Sequence, residues 1–319
     1  MLVFYRPTYF GKDTLRGMTS FIDQTNLEEV DGSFYEGSEV GLISSSLVWS
    51  DTFKNKCTTL VRWGSVATSP IPMDKQLNPS SSIKFISNKS LCRMFLNRTL
   101  RLFVPASGRS LEEYLSMGGY FPALLRPSKH SQGKNMWLVF GEDEVKRILE
   151  KEQELFAKCN GYYLSQYIEK SKEYRVFVVQ GRVVCVAEKI PENPYSIAWN
   201  NSQGESVFNN VRWGDWDIRL CSIVLKTYNK VREESGLDFA AIDVIQSVNG
   251  SIYVLELNSA PEIPLIEDNT KVSYRQKCMA GALYHTDGFG RLESLDDGEL
   301  NDCYSWKHII HPGVWNGSN

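Results

Sequence analysis

The segment FAAIDVIQSVNGSIYVLELN (239–258) places two carboxylates and an amide at spacings that suit a hard metal ion. Asn249-Gly250 signals a two-residue type I′ hairpin turn, because that turn needs positive φ at both central residues. With a two-residue loop Val248 pairs with Ser251, and continuing outward sets Asp243 opposite Glu256. Opposed Cβ atoms lie about 4.5–5.5 Å apart, so the two carboxylates share a face. Asn258, two residues beyond Glu256, points the same way. Like charges so placed repel unless something neutralises them. Asp243, Glu256 and Asn258 therefore read as ligands for Mg²⁺, which takes one or two carboxylates and fills its shell with water and phosphate oxygens. Mn²⁺ is an acceptable substitute. The competing reading is a solvated acidic face on an ordinary hairpin.

Phosphate chemistry needs cations and a backbone cradle. The loop SKHSQGK (128–134) offers Gly133 among small polar residues, with Arg126 just ahead of it and His130 inside it, placed to approach a terminal phosphate or a second substrate. A second hairpin is read in EYRVFVVQGRVVCVAEKI (173–190). Glutamine disfavours positive φ, so a three-residue loop Val179-Gln180-Gly181, with Gly181 left-handed, is expected there. That register puts Arg175 and Lys189 on one face, within reach of a polyphosphate; two solvent-facing cations are the alternative. His308 and His311 lack a third ligand nearby in sequence and read as surface or packing residues. No persuasive Ser/His/Asp or Cys/His arrangement is present.

These residues must be carried by a well-packed protein. The chain has 319 residues, 42% hydrophobic and 12% aromatic, enough for a sizeable core. A net charge of -3 argues against an extended nucleic-acid surface or a polybasic membrane binder. Seven dispersed cysteines without a C-x-x-C pair fit buried reduced thiols. No run approaches the length of a membrane span, so the chain reads as soluble and cytoplasmic. The elements expected are a strand over Thr58–Trp63, helices over Asn88–Leu96, Glu142–Lys158, Asp217–Ser235 and Val272–Tyr284, and two strands bracketing the glycine loop. The Ser- and Pro-rich stretch 69–82 reads as a connection and a loose domain boundary. The pattern is α+β with antiparallel sheets.

Taken in order, five blocks resemble the ATP-grasp superfamily, closest to its amino-acid ligases acting on ribosomal protein S6 and on small peptides. NKSLCRMFL (88–96) resembles the helix bearing a first phosphate-binding lysine, here Lys89. PALLRPSKHSQGK resembles the strand of the second lysine, replaced here by Arg126, followed by the glycine loop. LSQYIEKSKEYRVFVVQGRVV resembles the adenine hinge, which implies Gln166, Tyr167 and Ile168 at the base, Glu173 near the ribose, and Arg175 in the same wall. EKIPENPYSIAWNN supplies Lys189 and Asn200, or its neighbour Asn201, on the phosphate and acceptor side. The metal hairpin is the closest match.

The resemblance covers about residues 85–285. It implies a small N-terminal lobe (1–85), a central subdomain with the glycine loop (86–158), a C-terminal subdomain with the metal site (159–290) and a polar tail (291–319), with nucleotide held between the two α+β subdomains. It further implies an ATP- and Mg²⁺-dependent ligase that joins a carboxylate to an amine through an acylphosphate. Arg175, Lys189 and Asn200 would be catalytic, and the acceptor an amino acid, peptide or protein tail. Arginine at position 126 keeps the charge but is not interchangeable with lysine. A small-molecule kinase and a non-catalytic nucleotide-binding module compete with this reading. A homodimer is the default assembly.

Overall fold

The computed structural model describes residues 2–5, 12–23, 40–43, 55, 57–128, 135–197, 199, 206–263 and 273–286. Near the N-terminus, β1 (Leu2–Tyr5), β2 (Val40–Ile43), β3 (Thr59–Arg62) and β4 (Gln76–Leu77) form a sheet of order β2-β1-β3-β4. All its pairings are parallel. This corrects the expectation of antiparallel sheets throughout. Parallel neighbours need a crossover connection, and helix α1 (Lys12–Asp23) lies between β1 and β2 in the chain. The short run LVFY of β1 carries no alternation to mark it as a strand.

The other two sheets are antiparallel. Helices α2 (Ser80–Ser87) and α3 (Lys89–Thr99) lead into a small sheet of order β5-β8-β6-β7. Its strands are β5 (Ser107–Gly108), β6 (Ala123–Pro127), β7 (Trp137–Val139) and β8 (Tyr162–Gln166). Helices α4 (Leu111–Ser116), α5 (Glu142–Lys151) and α6 (Gln153–Lys158) belong to this unit, the last two standing where one helix was expected. Tyr114, Leu125, Val139, Phe156 and Leu164 form its core.

The larger sheet has the order β11-β10-β9-β12-β13. It comprises β9 (Lys170–Val179), β10 (Arg182–Pro191), β11 (Ser206–Asn210), β12 (Phe239–Ser247) and β13 (Ile252–Asn258). Helix α7 (Ile218–Ser235) buries Leu220, Val224, Tyr228 and Val231. Asp217 caps its start, accepting from the Arg219 amide at 2.8 Å, and Gly236 ends it at φ 74°. Helix α8 (Tyr274–Thr286) packs against α1 and against β9 and β10.

Both long hairpins depart from their expected turns, and in each a β-bulge cancels the difference. The first turn has two residues, since Val179 pairs with Arg182, and Gln180 and Gly181 sit at φ 44° and 78°. Glutamine takes this conformation because β9 pairs with β12 as far as Phe239, and the Gln180 amide donates to Asp238 O at 2.6 Å. Tertiary pairing overrides the local preference. The extra residue Val184 on β10 then shifts the register, so that Lys189 faces Glu173 and Ala187 faces Arg175.

The second turn is longer than expected. The Ser247 amide donates to Ser251 O at 2.8 Å and only Gly250 of the loop has positive φ, 84°. A three-residue loop replaces the type I′ turn, held by the Asn249 side chain, which accepts from the Ser251 amide at 3.0 Å. Leu255 is the bulged residue on β13, and beyond it Asp243 again pairs with Glu256.

The stretch 69–82 contains β4 and the start of α2, and Asn78 anchors it. Asn78 is fully buried at φ 57°, and its Oδ1 accepts from the Asp238 and Phe239 amides at 2.8 and 3.0 Å. Its Nδ2 donates to Phe239 O at 2.8 Å. Trp63 stacks on Phe239 at 5.3 Å beside it. Asn78→Ala leaves these buried backbone groups unpaired and should destabilise the fold by roughly 2–4 kcal/mol, read as a lowered urea midpoint at unchanged slope.

Candidate active site

One face of the larger sheet gathers the charged residues. Across it run Ala187, Arg175, Asp243 and Glu256 as directly paired neighbours, with Ala241 and Asn258 paired one step along. Arg175 grips Asp243 with two bonds, Nε to Oδ1 at 2.7 Å and Nη2 to Oδ2 at 2.9 Å. Burial alone would weaken the guanidinium charge, but contact with Asp243 outweighs it and holds Arg175 firmly protonated. On the far edge Lys89 Nζ lies 3.2 Å from Glu256 Oε2 and donates to Asn258 Oδ1 at 3.0 Å and to Leu257 O at 3.2 Å. The Asn258 amide nitrogen donates to Asp243 Oδ2 and Glu256 Oε1, each at 3.2 Å.

Asp243, Glu256 and Asn258 are therefore in mutual contact, and cations of the chain itself meet both carboxylates. The fit to Mg²⁺ can be judged on the donor set. Among the described residues no group of three or more His, Cys, Asp or Glu side chains gathers, so a soft-metal cage is not offered. Two carboxylates and an amide oxygen suit a hard ion that keeps waters and phosphate oxygens in its shell. Using the Asn258 oxygen requires the amide to turn about χ2, because its nitrogen now faces the carboxylates.

A second charged group lies one row along. Glu173 accepts from Lys170 Nζ at 2.6 Å and from Lys189 Nζ, and Lys189 also donates to Trp199 O at 2.8 Å. Lys170 Nζ sits 4.2 Å from the Trp199 ring centre. Burial would raise the Glu173 carboxyl, yet the Lys189 and Lys170 ammonium groups overcome it and hold the carboxyl below its usual range. Arg175 and Lys189 do share a face, as expected, but each is paired to a different carboxylate.

Two further arginines complete the site. Arg126 on β6 donates from Nη1 to Tyr163 Oη at 3.5 Å, and its Nε meets Met136 Sδ at 3.1 Å. Arg93 was not singled out from the sequence. Its Nη1 donates to Val254 O at 3.3 Å and its Nη2 to Leu255 O, which braces the bulge that sets Glu256 in place. A signal was available, since Arg93 follows Lys89 by four residues and so lies on the same face of α3.

Gln166 ends β8, its amide donating to Ala106 O at 2.8 Å, and the Tyr167 amide donates to Pro122 O at 3.1 Å. Tyr167 and Ile168 then carry the chain from the small sheet into β9. His130, Gly133, Asn200 and Asn201 lie outside the described residues, as do His308 and His311. Across the site cations outnumber carboxylates, although the whole chain carries -3. Such an excess suits a polyanionic ligand.

The Glu173 group also predicts a pH effect. A carboxyl whose folded pKa is depressed stabilises the fold above its unfolded value, and the contribution is lost as pH falls through the folded value. Glu173→Gln should cost about 3 kcal/mol near neutrality, since it strands two buried ammonium groups, and this deficit should shrink on acidification below the usual carboxylate range. Denaturant midpoints measured across pH check both parts.

The model of the RimK-like ATP-grasp domain matches residues 104–281, more than half of the chain. No curated protein matches. Among solved structures, D-alanine–D-alanine ligase from Bacillus anthracis complexed with ATP is similar at 13% identity and TM-score 0.54, covering 90% of this chain and 97% of its own. The ATP-grasp ligase PsnB complexed with minimal precursor, Mg and ADP gives 13%, a TM-score of 0.57, and coverage of 90% and 96%. The macrocyclase MdnC bound with precursor peptide MdnA, from Microcystis aeruginosa MRC, gives 13%, 0.54, and coverage of 89% and 100%. At that identity the likeness shows a shared α+β ATP-grasp fold, and the family model adds the kind of enzyme: the chain belongs to the RimK-like ATP-grasp family of carbon–nitrogen bond-forming ligases.

Proposed function

We propose that this chain uses Mg-ATP to activate a carboxylate as its acylphosphate, which an amine then attacks to form an amide, releasing ADP and phosphate. The observation that carries the reading is the contact set of Asp243, Glu256 and Asn258, flanked by Arg175 and Lys89. The carboxylates offer donors to a divalent ion, and the cations beside them suit the phosphate oxygens that would arrive with it. In this reading Asp243, Glu256 and Asn258 hold Mg²⁺, which when bound would neutralise charge on the phosphates.

The chain's own work is positioning and charge neutralisation. Lys89 and Arg126 would contact phosphates from opposite sides. Gln166, Tyr167 and Ile168, on the connection between the two antiparallel sheets, would frame the base. Glu173 holds Lys189 and Lys170 in fixed geometry, so that Lys189 can lie against a transferring phosphoryl group without wandering. His130, Gly133 and Asn200 are proposed for the same pocket on the resemblance alone. The relatives bound to precursor peptides make a peptide or amino-acid substrate the best-supported class. One observation favours a second reading: Arg126 stands where the resemblance expects lysine, which suits a site that binds nucleotide without turning it over.

ADP and phosphate release from Mg-ATP tests these readings, with and without pooled amino acids, peptides and cell extract. Equal ADP and phosphate, dependent on the pool, supports the ligase. ADP without matching phosphate points to a kinase, and tight nucleotide binding without turnover to the binding module. Glu256→Gln should weaken Mg²⁺-dependent ATP binding at least tenfold and abolish turnover with the far-UV circular dichroism unchanged; full activity would remove the metal assignment. Arg126→Lys should keep turnover within about threefold if the position supplies charge alone, whereas a large kcat loss assigns a role to the guanidinium fork.

A further inference from the structure

Phe208 on the edge strand β11 is ringed by three cations. Arg175 Cζ lies 5.0 Å from its ring centre, Arg275 Cζ 5.2 Å and Lys189 Nζ 5.4 Å. Two of the three are committed, Arg175 to Asp243 and Lys189 to Glu173. Arg275, in the first turn of α8, has no carboxylate among the described residues, and its buried Nε has no hydrogen-bond acceptor. The ring face recovers only part of what a guanidinium loses on leaving water. Burial, and then the neighbouring Arg175 charge, disfavour its protonated form, with Cys185 nearby acting the other way.

The start of α8 is also pinned. Gln276 donates to Asp13 O and Ile263 O, both at 3.1 Å, and accepts from the Ser273 amide at 2.8 Å. Arg275 is thus held beside like charge by its neighbours. An anion is what such an arrangement lacks.

We propose that Arg275, with Arg175, Lys189 and Phe208 around it, binds the carboxylate of the substrate that is to be activated. This rests on the ligase reading and deepens it, because it assigns the substrate's anionic end to a residue outside the metal set. The terminal phosphate of the nucleotide offers similar chemistry. A carboxylate that takes the terminal phosphoryl must lie beside it, so Phe208 on one edge strand and the proposed metal donors Glu256 and Asn258 on the other have to be bridged. Arg175, on the central strand, touches both regions.

The test titrates succinate and inorganic phosphate into the full chain, alone and with Mg-ADP, comparing wild type, Arg275→Gln and Arg275→Lys by calorimetry. Arg275→Gln should weaken succinate binding at least tenfold, while Arg275→Lys retains most of it and Mg-ADP affinity is unchanged in both. Without added anion, the Tm of Arg275→Gln should equal or exceed that of wild type, because an uncompensated buried charge is gone. Succinate binding that is absent from wild type, or unaffected by Arg275→Gln, overturns the proposal. Loss of phosphate binding with succinate binding intact overturns the carboxylate assignment in favour of the nucleotide's terminal phosphate. A lowered Tm with every ligand weakened makes Arg275 a structural brace and also overturns it. Failure of wild type to bind Mg-ADP strikes the ligase reading instead, and the succinate arm without nucleotide still reports on Arg275.

Discussion

The two-bond pair between Arg175 and Asp243 is the interaction around which the site is organised. It spans neighbouring strands β9 and β12 at the middle of the five-stranded sheet, with Asp243 only 6% exposed. A buried carboxylate opposite Glu256 would otherwise face like charge and lost hydration together. With the guanidinium in place the carboxylate has its counter-charge, and Asn258, Glu256 and Lys89 assemble outward from it. On the other side Arg175 meets Phe208, and through that ring the neighbourhood of Lys189 and Arg275. One fixed charge pair thus joins the proposed metal donors to the region proposed for the substrate.

Aligning Lys189 and Glu256 with that pair requires four strands in register at once. Parity on each strand depends on its turn and on its bulge, and a slip of one residue would send Lys189 or Glu256 to the opposite face. Val184 and Leu255 are each the extra residue that restores alignment on the outer strand of its hairpin. Arg93 donates to the carbonyls of Val254 and Leu255, so the second bulge is held by a cation from another element. Bulges next to active sites re-aim side chains, and here they set which residues face the site.

The same economy connects the N-terminal sheet to the rest. Asn78 satisfies the backbone of Asp238 and Phe239 at the start of β12, the strand that carries Asp243 five residues from Asp238. Tyr228 on α7 donates to Leu237 O and Asp238 O at 3.0 and 2.7 Å at the same point. The entry to the central strand is therefore tied to the lobe ahead of it and to the helix beneath it, and its middle is left to carry charge. A strand anchored at its start suits the proposed role of the site, which is to hold polyanions still.

Much of this was legible in the residues themselves. Period and turn residues located α3, α7 and the two hairpins, and Asp243, Glu256 and Asn258 emerged as one face from spacing alone. Arg175 and Lys189 were placed together although their turn was misjudged, because the bulge at Val184 restored the parity that the two-residue turn had changed. Turn type was not legible: the conformations of Gln180 and Asn249 answer to pairing with β12 and to side-chain bonds rather than to intrinsic preference. Nor was the parallel N-terminal sheet, whose strands of two to four residues carry too few positions to show a period. The sequence by itself determined which residue types could meet a metal and phosphates, since charge and alternation are properties of the chain. Which cation meets which carboxylate, and that Arg275 meets none among the described residues, was decided only by the tertiary structure. Those pairings depend on distances between strands and helices far apart in the chain, which no local spacing encodes.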